Sequence, residues 1–264
     1  MISINRVANG NGPYTLLLHG LFGDLDNLAR LGRALDDRYR VVRADLPAHG
    51  DSGSANELTI DVMAEAMLDV LADESSGNGN WRLIGHSLGG KVVMRMAADP
   101  RCPPLAAMII ADMAPRVYPP HHQSIIDTLL ALDLDTIRSR RDADGLLAQH
   151  IDSPQVRAFL LKSLRRDESG TWRWALDLAS IAGNYPSISA SPRIEAPIDT
   201  PALFIRGGAS NYVRDQDWTT IESLFPRAEL ATIDGAGHWL HAERPDEFAR
   251  LCLDFLARAD TDDG

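Results

Sequence analysis

One short motif could carry a reaction: Gly85-His-Ser-Leu-Gly89, in which a serine stands between two glycines. An apolar run, Arg82–Ile84, precedes the motif, and an apolar helical pattern follows it from Val92. A G-x-S-x-G motif between a strand and a helix is typical of the nucleophile elbow, a strained turn that raises a serine above a parallel sheet. Glycines permit the close backbone contacts of such a turn. Ser87 is therefore the predicted nucleophile.

A serine hydroxyl becomes nucleophilic when a positioned base takes its proton, so a histidine is expected nearby. His238 is the predicted base. It lies in Gly235-Ala-Gly-His-Trp239, after the last predicted strand, where a glycine-bounded loop can bring an imidazole back across the sheet. His241 is the reserve candidate. The remaining histidines are predicted to brace turns (His19, His86), to have a structural place in a loop (His49) or to lie in solvent (His121, His122, His150).

A carboxylate must hold the base in the right tautomer. Asp112 follows the predicted strand Ala106–Ala111, so its side chain is expected at the carboxyl end of that strand, near the serine. The alternatives are Asp215 and Asp217, which follow the next strand in the opening turn of a helix. Acids are common in that position because they interact favourably with the helix dipole. We favour Asp112, and the order Ser, Asp, His holds for either choice.

Two backbone amides are predicted to bind the negative oxygen that develops on a substrate. One is the N–H of Leu88, the residue after the serine. The other comes from the turn His19-Gly-Leu-Phe-Gly23, with Leu21 as first choice and Phe22 as second.

The elements that must position these residues alternate along the chain. Strands alternating with helices of this length indicate parallel β-α-β units with helices on both faces of the sheet. The predicted strands are Ile2–Val7, Tyr14–Leu18, Arg40–Ala44, Arg82–Ile84, Ala106–Ala111, Ala202–Arg206 and Glu229–Ile233. The predicted helices between them are Asn27–Asp36, Ile60–Glu74, Leu88–Ala98, Asp215–Phe225 and Pro245–Ala257.

Residues 117–198 break this alternation. No strand is predicted there, only helix-like segments, and the region is bounded by prolines on both sides. We interpret it as a helical cap inserted over the sheet edge from which the serine emerges, with residues 1–116 and 199–264 forming the core. A separate helical domain is the alternative, although the clean return of strands after Pro201 favours a lid on a single core.

Composition and charge exclude several classes of partner. The 264 residues carry a formal net charge of −11, which argues against a nucleic-acid partner and against docking on an anionic membrane surface. No signal peptide and no membrane-spanning run are visible, so a cytoplasmic location is expected. Cys102 and Cys252 are too few for a disulfide framework or a metal site.

Taken together, these motifs resemble the α/β-hydrolase superfamily over essentially the whole chain. Besides the serine and histidine motifs, the signatures are His19-Gly20, Asp45-Leu-Pro-Ala-His-Gly-Asp-Ser52 and Pro201-Ala-Leu-Phe-Ile-Arg-Gly-Gly208. Most members carry the acid after the strand that here ends at Arg206, and this chain departs from that pattern. The resemblance implies an α/β-hydrolase fold with a mostly parallel sheet of about seven to eight strands.

The chain more specifically resembles small bacterial esterases of the YbfF type and their eukaryotic relatives. Ser87-Leu-Gly-Gly-Lys91 matches their Ser-x-Gly-Gly-Lys motif, and Asp112-Met-Ala-Pro115 matches the Asp-x-Ala-Pro segment that carries their acid. Gly207-Gly-Ala-Ser-Asn-Tyr-Val213 is similar to their Gly-Gly-x-Ser-x-Tyr-Val loop. The resemblance implies hydrolysis of short- to medium-chain acyl esters of small molecules, with no metal and no cofactor. An aspartate nucleophile, as in dehalogenases and epoxide hydrolases, is disfavoured because the chain has Ser87 at that position.

Several questions stay open from the sequence. Phe22 and Trp239 are the candidate pocket residues, and Lys91 is expected to be structural, with a charge at the pocket rim as the alternative. The same machinery could cleave thioesters, amides or C–C bonds, or carry out cofactor-free perhydrolysis, because a fold and a triad do not fix the leaving group. A non-catalytic receptor is the less favoured class. The chain is expected to be a monomer or a homodimer.

Overall fold

A seven-stranded sheet lies at the centre of the computed structural model, which describes residues 2–75 and 80–262. The strand order is β1-β3-β2-β4-β5-β8-β9, and every neighbouring pair is parallel except β1 with β3. The strands are β1 (Arg6–Asn9), β2 (Tyr14–Leu18), β3 (Arg40–Ala44), β4 (Trp81–His86), β5 (Leu105–Ala111), β6 (Leu164–Arg166), β7 (Trp172–Trp174), β8 (Ala202–Gly207) and β9 (Ala228–Ile233).

Helices cover both faces of the sheet and connect its parallel strands. They are α1 (Ala29–Leu35), α2 (Ile60–Ser75), α3 (Leu88–Ala97), α4 (Gln123–Ala131), α5 (Arg140–Leu147), α6 (Pro154–Leu160), α7 (Leu178–Ser189), α8 (Trp218–Leu224), α9 (Leu240–Glu243) and α10 (Pro245–Asp262). Short 3-10 turns occur at Leu25–Leu28, Leu134–Thr136 and Asp215–Asp217. The predicted mostly parallel α/β architecture is confirmed.

Two hydrophobic cores lie on either side of the sheet because successive strand side chains point to opposite faces. On β2, Leu16 and Leu18 pack into one core, together with α2 and α3, whereas Leu17 packs into the other, together with α1 and α10. Since both faces of the central strands are covered, their sequences are continuous apolar runs such as β5, in which every residue after Leu105 is buried.

The first strand begins later than the sequence pattern indicated. We expected Ile2–Val7, but the strand covers Arg6–Asn9. The backbone of Ser3 and Asn5 instead makes hydrogen bonds to the segment 45–53, for example from Asp45 N–H to the Asn5 carbonyl oxygen at 2.9 Å. Apolar alternation could not distinguish this loop pairing from a strand.

Residues between β5 and β8 form the inserted segment, which contains α4 to α7. The expectation that it holds no strand is wrong, because β6 and β7 form a small antiparallel hairpin. The Asp167 side chain closes the turn by accepting the amides of Ser169 and Thr171 at 2.9 Å each. Three-residue strands are too short to give a periodic signal in the sequence.

The inserted segment lies against the loops that follow the parallel strands, at the carboxyl end of the sheet. The Ser163 hydroxyl donates to the Phe22 carbonyl oxygen at 2.8 Å. Asp177 N–H donates to the Ala48 carbonyl oxygen at 2.9 Å. Arg165 forms ion pairs with two carboxylates of the core loops, Asp24 at 2.8 Å and Asp51 at 3.0 Å. These contacts join the segment to the core along several loops.

The passage from β4 into α3 requires backbone contact closer than a side chain allows. A Cβ atom on Gly85 would lie 2.2 Å from the Gly89 carbonyl oxygen, and one on Gly89 would lie 2.4 Å from the Leu18 carbonyl oxygen. Both obstructing atoms belong to the backbone and cannot rotate away. The two glycines of the motif are therefore needed for steric reasons.

Gly85→Ala should destabilise the protein by about 1–3 kcal/mol or more, since the new methyl group forces backbone to move. Gly183→Ala is the matched control: Gly183 lies in α7 with open space around its Cβ position, so this change should stabilise by up to about 1 kcal/mol. Thermal and urea unfolding measure both. Equal stability of the two variants would contradict the steric account.

Candidate active site

Ser87 occupies a strained turn at the carboxyl end of β4. Its φ of 52° lies in the left-handed region, which is uncommon for a residue other than glycine. The turn is held on both sides: Ser87 N–H donates to the Ala111 carbonyl oxygen and Gly90 N–H donates to the Ser87 carbonyl oxygen, each at 2.9 Å. This geometry sets the hydroxyl at the start of α3, above the sheet.

His238 reaches Ser87 from the loop after β9. Its Nε2 lies 3.0 Å from the Ser87 Oγ, within hydrogen-bond distance. A hydrogen bond to the backbone fixes the loop that carries His238. His86 Nε2 lies 2.8 Å from the His238 carbonyl oxygen, and it must donate because a carbonyl oxygen only accepts. Burial holds the pKa of His86 well below its usual value, so His86 is a neutral, fixed donor. On the other side, the Tyr212 ring stacks on the His238 ring at a centroid distance of 3.7 Å.

Asp112 completes a hydrogen-bonded chain with the other two residues. Its Oδ2 lies 2.7 Å from His238 Nδ1, so Oδ2 accepts a hydrogen bond from Nδ1–H, which leaves Nε2 free to accept from Ser87. The carboxylate is fully buried. Its remaining partners are the Gly207 N–H, which donates to Oδ1 at 3.1 Å, and the Ser210 hydroxyl, which donates to Oδ2. These donors offset the cost of burying a charge.

The alternative acids face other partners. Asp215 pairs with Arg206 at 2.6 Å, and its side chain is 91% exposed. Asp217 pairs with Arg116 and accepts the Arg214 N–H at 2.9 Å, as expected for an acid at the start of a helix. The structure thus brings Asp112, rather than either of these aspartates, to His238.

The reserve base, His241, packs behind His86 at a ring distance of 4.4 Å. Burial lowers the pKa of His241 to about 3, and among the described residues its Nδ1 has no hydrogen-bond partner. It is therefore a neutral ring that packs beneath the loop of His238.

The turn after β2 faces the same hydroxyl. Gly23 N–H donates to the Gly20 carbonyl oxygen at 3.0 Å, and Phe22 has a φ of 64°, as in the third position of a type II turn. The Leu21 amide takes no part in that turn hydrogen bond. Leu88 is the first residue of α3, where amides lack a partner within the helix. Leu21 and Leu88 both line a cavity with Ser87.

His19 braces this turn, as predicted. Its Nε2 accepts the Leu46 N–H at 3.0 Å, so Nδ1 carries the proton and donates to the Gly20 carbonyl oxygen at 2.8 Å. Burial lowers the pKa of His19 to about 4, which keeps the ring neutral in this double role.

Two adjacent cavities meet at the serine. The larger cavity, of about 210 Å³, is lined by both predicted pocket residues, Phe22 and Trp239, and by His238. The smaller cavity, of about 40 Å³, extends past Leu88 to Lys91. Both cavities are bordered by Ser87, Leu21, His122 and Tyr212.

The expectation that His122 lies in solvent is wrong. It is half-buried between the two cavities, its Nδ1 lies 2.9 Å from the Tyr185 hydroxyl, and its ring meets Phe22 edge-on. Burial lowers its pKa to about 3. Nothing in the local sequence indicates this position, because it depends on how the inserted segment packs on the core.

Sequence reasoning also missed the parts played by Ser210 and Tyr212. Both belong to the loop 207–213, at the end of β8. Ser210 donates to the Asp112 carboxylate, and Tyr212 stacks on His238. The match of this loop to the related esterases was the available signal, but it did not say what each side chain contacts.

Lys91 is buried and structural, as expected. Its Nζ donates to the carbonyl oxygens of Ser189 (2.8 Å) and Ala190 (2.6 Å) at the end of α7. Burial, with a smaller effect from the Arg116 charge, lowers the pKa of Lys91 to about 7.

Within residues 2–75 and 80–262, no group of three or more His, Cys, Asp or Glu side chains is arranged to hold a metal ion. No helix in this described part of the chain is long and apolar enough to cross a bilayer. At Ser87, the hydroxyl lies within hydrogen-bond distance of the His238 imidazole and can pass its proton to that ring, and Leu21 and Leu88 line a cavity with the same serine.

The chain is similar to known proteins over most of its length. The chain is 36% identical over 250 residues to the Escherichia coli esterase YbfF, covering 94% of each protein. It is 31% identical over 261 residues to a Danio rerio sn-1-specific diacylglycerol lipase, covering 95% of this chain and 81% of the lipase. The solved structure of a marine microorganism esterase matches with a TM-score of 0.90 and 35% identity, over 97% of this chain and all of that one. A family model described as alpha/beta hydrolase fold matches residues 16–245, and the chain belongs to that family.

Proposed function

We propose that this carboxylic ester hydrolase cleaves short- to medium-chain acyl esters through an acyl-enzyme intermediate on Ser87. His238 acts as the general base and acid, and Asp112 orients it. The observation that carries the proposal is the continuous hydrogen-bonded chain from Asp112 Oδ2 through the His238 ring to Ser87 Oγ, with separations of 2.7 and 3.0 Å. Relatives named as esterases and lipases support the same reaction class.

The first half of the reaction forms the acyl-enzyme. Ser87 Oγ attacks the ester carbonyl carbon while His238 Nε2 takes the hydroxyl proton. Asp112 stabilises the imidazolium that results and keeps Nδ1 protonated throughout. The tetrahedral intermediate then collapses, His238 gives its proton to the leaving alkoxide oxygen, and the alcohol departs.

The second half repeats these steps with water. Water gives a proton to His238 Nε2 and attacks the acyl-enzyme carbonyl carbon. The second tetrahedral intermediate expels Ser87 Oγ, which recovers its proton from His238, and the carboxylic acid is released. The N–H groups of Leu21 and Leu88 stabilise the oxyanion in both halves, and removing one such donor typically costs about 100- to 1,000-fold in turnover.

Residues 117–198 act as a cap over this site. The proposal is supported by the contacts of the inserted segment with the loops that follow the parallel strands, and by His122 and Tyr185, which the segment contributes to the cavity walls. The cap makes the pocket largely apolar, with Phe22 and Trp239 on the wall of the larger cavity. Small acyl esters are the substrates that such a pocket suits.

Ser87→Ala should abolish ester hydrolysis. Asp112→Asn should lower kcat by roughly 10⁴-fold, because an amide favours the wrong imidazole tautomer. Asp215→Asn is the matched control: the same change at an exposed carboxylate should leave kcat nearly unchanged. Initial rates with p-nitrophenyl butyrate measure all three variants. A larger loss in Asp215→Asn than in Asp112→Asn would overturn the choice of acid.

Ser210→Ala removes one of the donors to the Asp112 carboxylate, and hydrogen bonds to charged groups contribute about 1.5–3 kcal/mol. We expect kcat to fall by roughly ten- to a hundred-fold with little change in KM, since the residue acts through Asp112 and His238. Ser191→Ala, which removes a serine hydroxyl bonded to the Pro115 carbonyl oxygen, is the control. Unchanged kcat in Ser210→Ala would show that Asp112 is held without it.

A further inference from the structure

The two cavities at Ser87 differ in which catalytic side chain they contain. His238 lines the larger cavity together with Trp239. The smaller cavity is lined by Ser87 together with Leu88, Met113 and Ile188, and His238 is not among its lining residues. This difference matters because the leaving oxygen, which belongs to the alcohol half of an ester, must receive a proton from the catalytic histidine.

An ester bound for attack must direct its leaving oxygen toward the group that protonates it. In the proposed mechanism that group is His238 Nε2, so the alcohol half must lie on the side of Ser87 that His238 occupies. That side is the larger cavity. The carbonyl oxygen points to the amides of Leu21 and Leu88, which leaves the smaller cavity for the acyl chain.

Most of the side chains around the smaller cavity are buried. Tyr118, Tyr185, Ile188 and Lys91 line it, and all four are buried. Its volume of about 40 Å³ holds roughly three water-sized groups. An acyl chain of about two to four carbons fills that space.

Lys91 fixes one wall of the smaller cavity through its hydrogen bonds. Its ammonium donates to the carbonyl oxygens of Ser189 and Ala190 and lies 3.5 Å from that of Ile188. These carbonyls are at the end of α7, where the helix dipole is negative. An ammonium has three donors, so its contacts within the protein leave little to offer a charged acyl group. The cavity is thus suited to a short, neutral chain.

The larger cavity differs in its volume and in the burial of its walls. Its volume is about 210 Å³, and its outer wall is formed by apolar side chains that are only half-buried: Ile125, Val156, Phe159 and Trp239. Phe159 and Trp239 contact each other with ring centroids 5.3 Å apart. A cavity of this volume with these walls accommodates a bulky apolar group.

We propose that the enzyme is selective for esters of a short acyl group with a larger apolar alcohol, bound with the acyl chain in the smaller cavity and the alcohol in the larger one. This inference rests on the proposed function, since the direction of the ester follows from the role of His238. It assigns Ile188 and Lys91 to acyl-chain selection and Phe159 and Trp239 to alcohol binding.

Hexyl acetate and ethyl hexanoate test the assignment because they are isomers with the short and long halves exchanged. The wild-type kcat/KM for hexyl acetate should exceed that for ethyl hexanoate by roughly tenfold or more, since the longer acyl chain does not fit the smaller cavity. Release of acid, followed by pH-stat titration, measures both substrates without a chromogenic group.

Ile188→Ala should lengthen the smaller cavity and shift the kcat/KM ratio toward ethyl hexanoate. Ile198→Ala deletes the same atoms at a buried position that lines neither cavity, so it should not produce that shift. Ile188→Val is the milder variant should Ile188→Ala unfold, and its smaller shift should have the same direction. Thermal unfolding of each variant checks that the fold is intact.

The outcomes separate this inference from the proposed function. A wild-type enzyme that prefers ethyl hexanoate, or cleaves both isomers equally, overturns the assignment of the cavities while ester hydrolysis stands. Hydrolysis of both esters that persists in Ser87→Ala overturns the proposed function itself. A preference for hexyl acetate that Ile188→Ala reduces and Ile198→Ala does not reduce supports the assignment.

Discussion

The hydrogen bond between Asp112 and His238 is the constraint around which the site is built. It joins a residue that follows β5 to one that follows β9, across the intervening strand β8. The link requires Asp112 to adopt a φ of 50° and to be buried completely. The loop after β8 makes this burial tolerable, because Gly207 N–H and the Ser210 hydroxyl both donate to the carboxylate. The loop after β8 thus contributes two donors to the acid that follows β5.

The same edge of the sheet concentrates the strained backbone. Phe22, Ala48, Ser87 and Asp112 have positive φ angles, and each follows a parallel strand at its carboxyl end. Such conformations persist only where surrounding packing holds them. Close contacts at Gly85 and Gly89, and neutral buried histidines at positions 19 and 86, supply that packing. These contacts hold the strained backbone around the serine, so that its hydroxyl lies within hydrogen-bond distance of a fixed imidazole.

Much of this could be predicted from the sequence because the motifs are local. The strand, serine and helix order at Ser87 follows from glycine spacing, and Asp112 follows from its place after a buried strand. The contacts of His122, Ser210 and Tyr212 could not be predicted, since they depend on the packing of the inserted segment and of one loop. The β6–β7 hairpin was missed because strands of three residues carry no periodicity. Local sequence patterns therefore predicted the candidate serine, histidine and acid, whereas the walls of the pocket depend on long-range packing.

Covalent labelling tests the central claim most directly. A fluorophosphonate reacts with a serine only when a neighbouring base activates its hydroxyl, and mass spectrometry of the digested protein locates the adduct. The account predicts one adduct, on the peptide that contains Ser87, and a much slower reaction in His238→Ala. Labelling at another residue, or equally fast labelling without the imidazole, would contradict it.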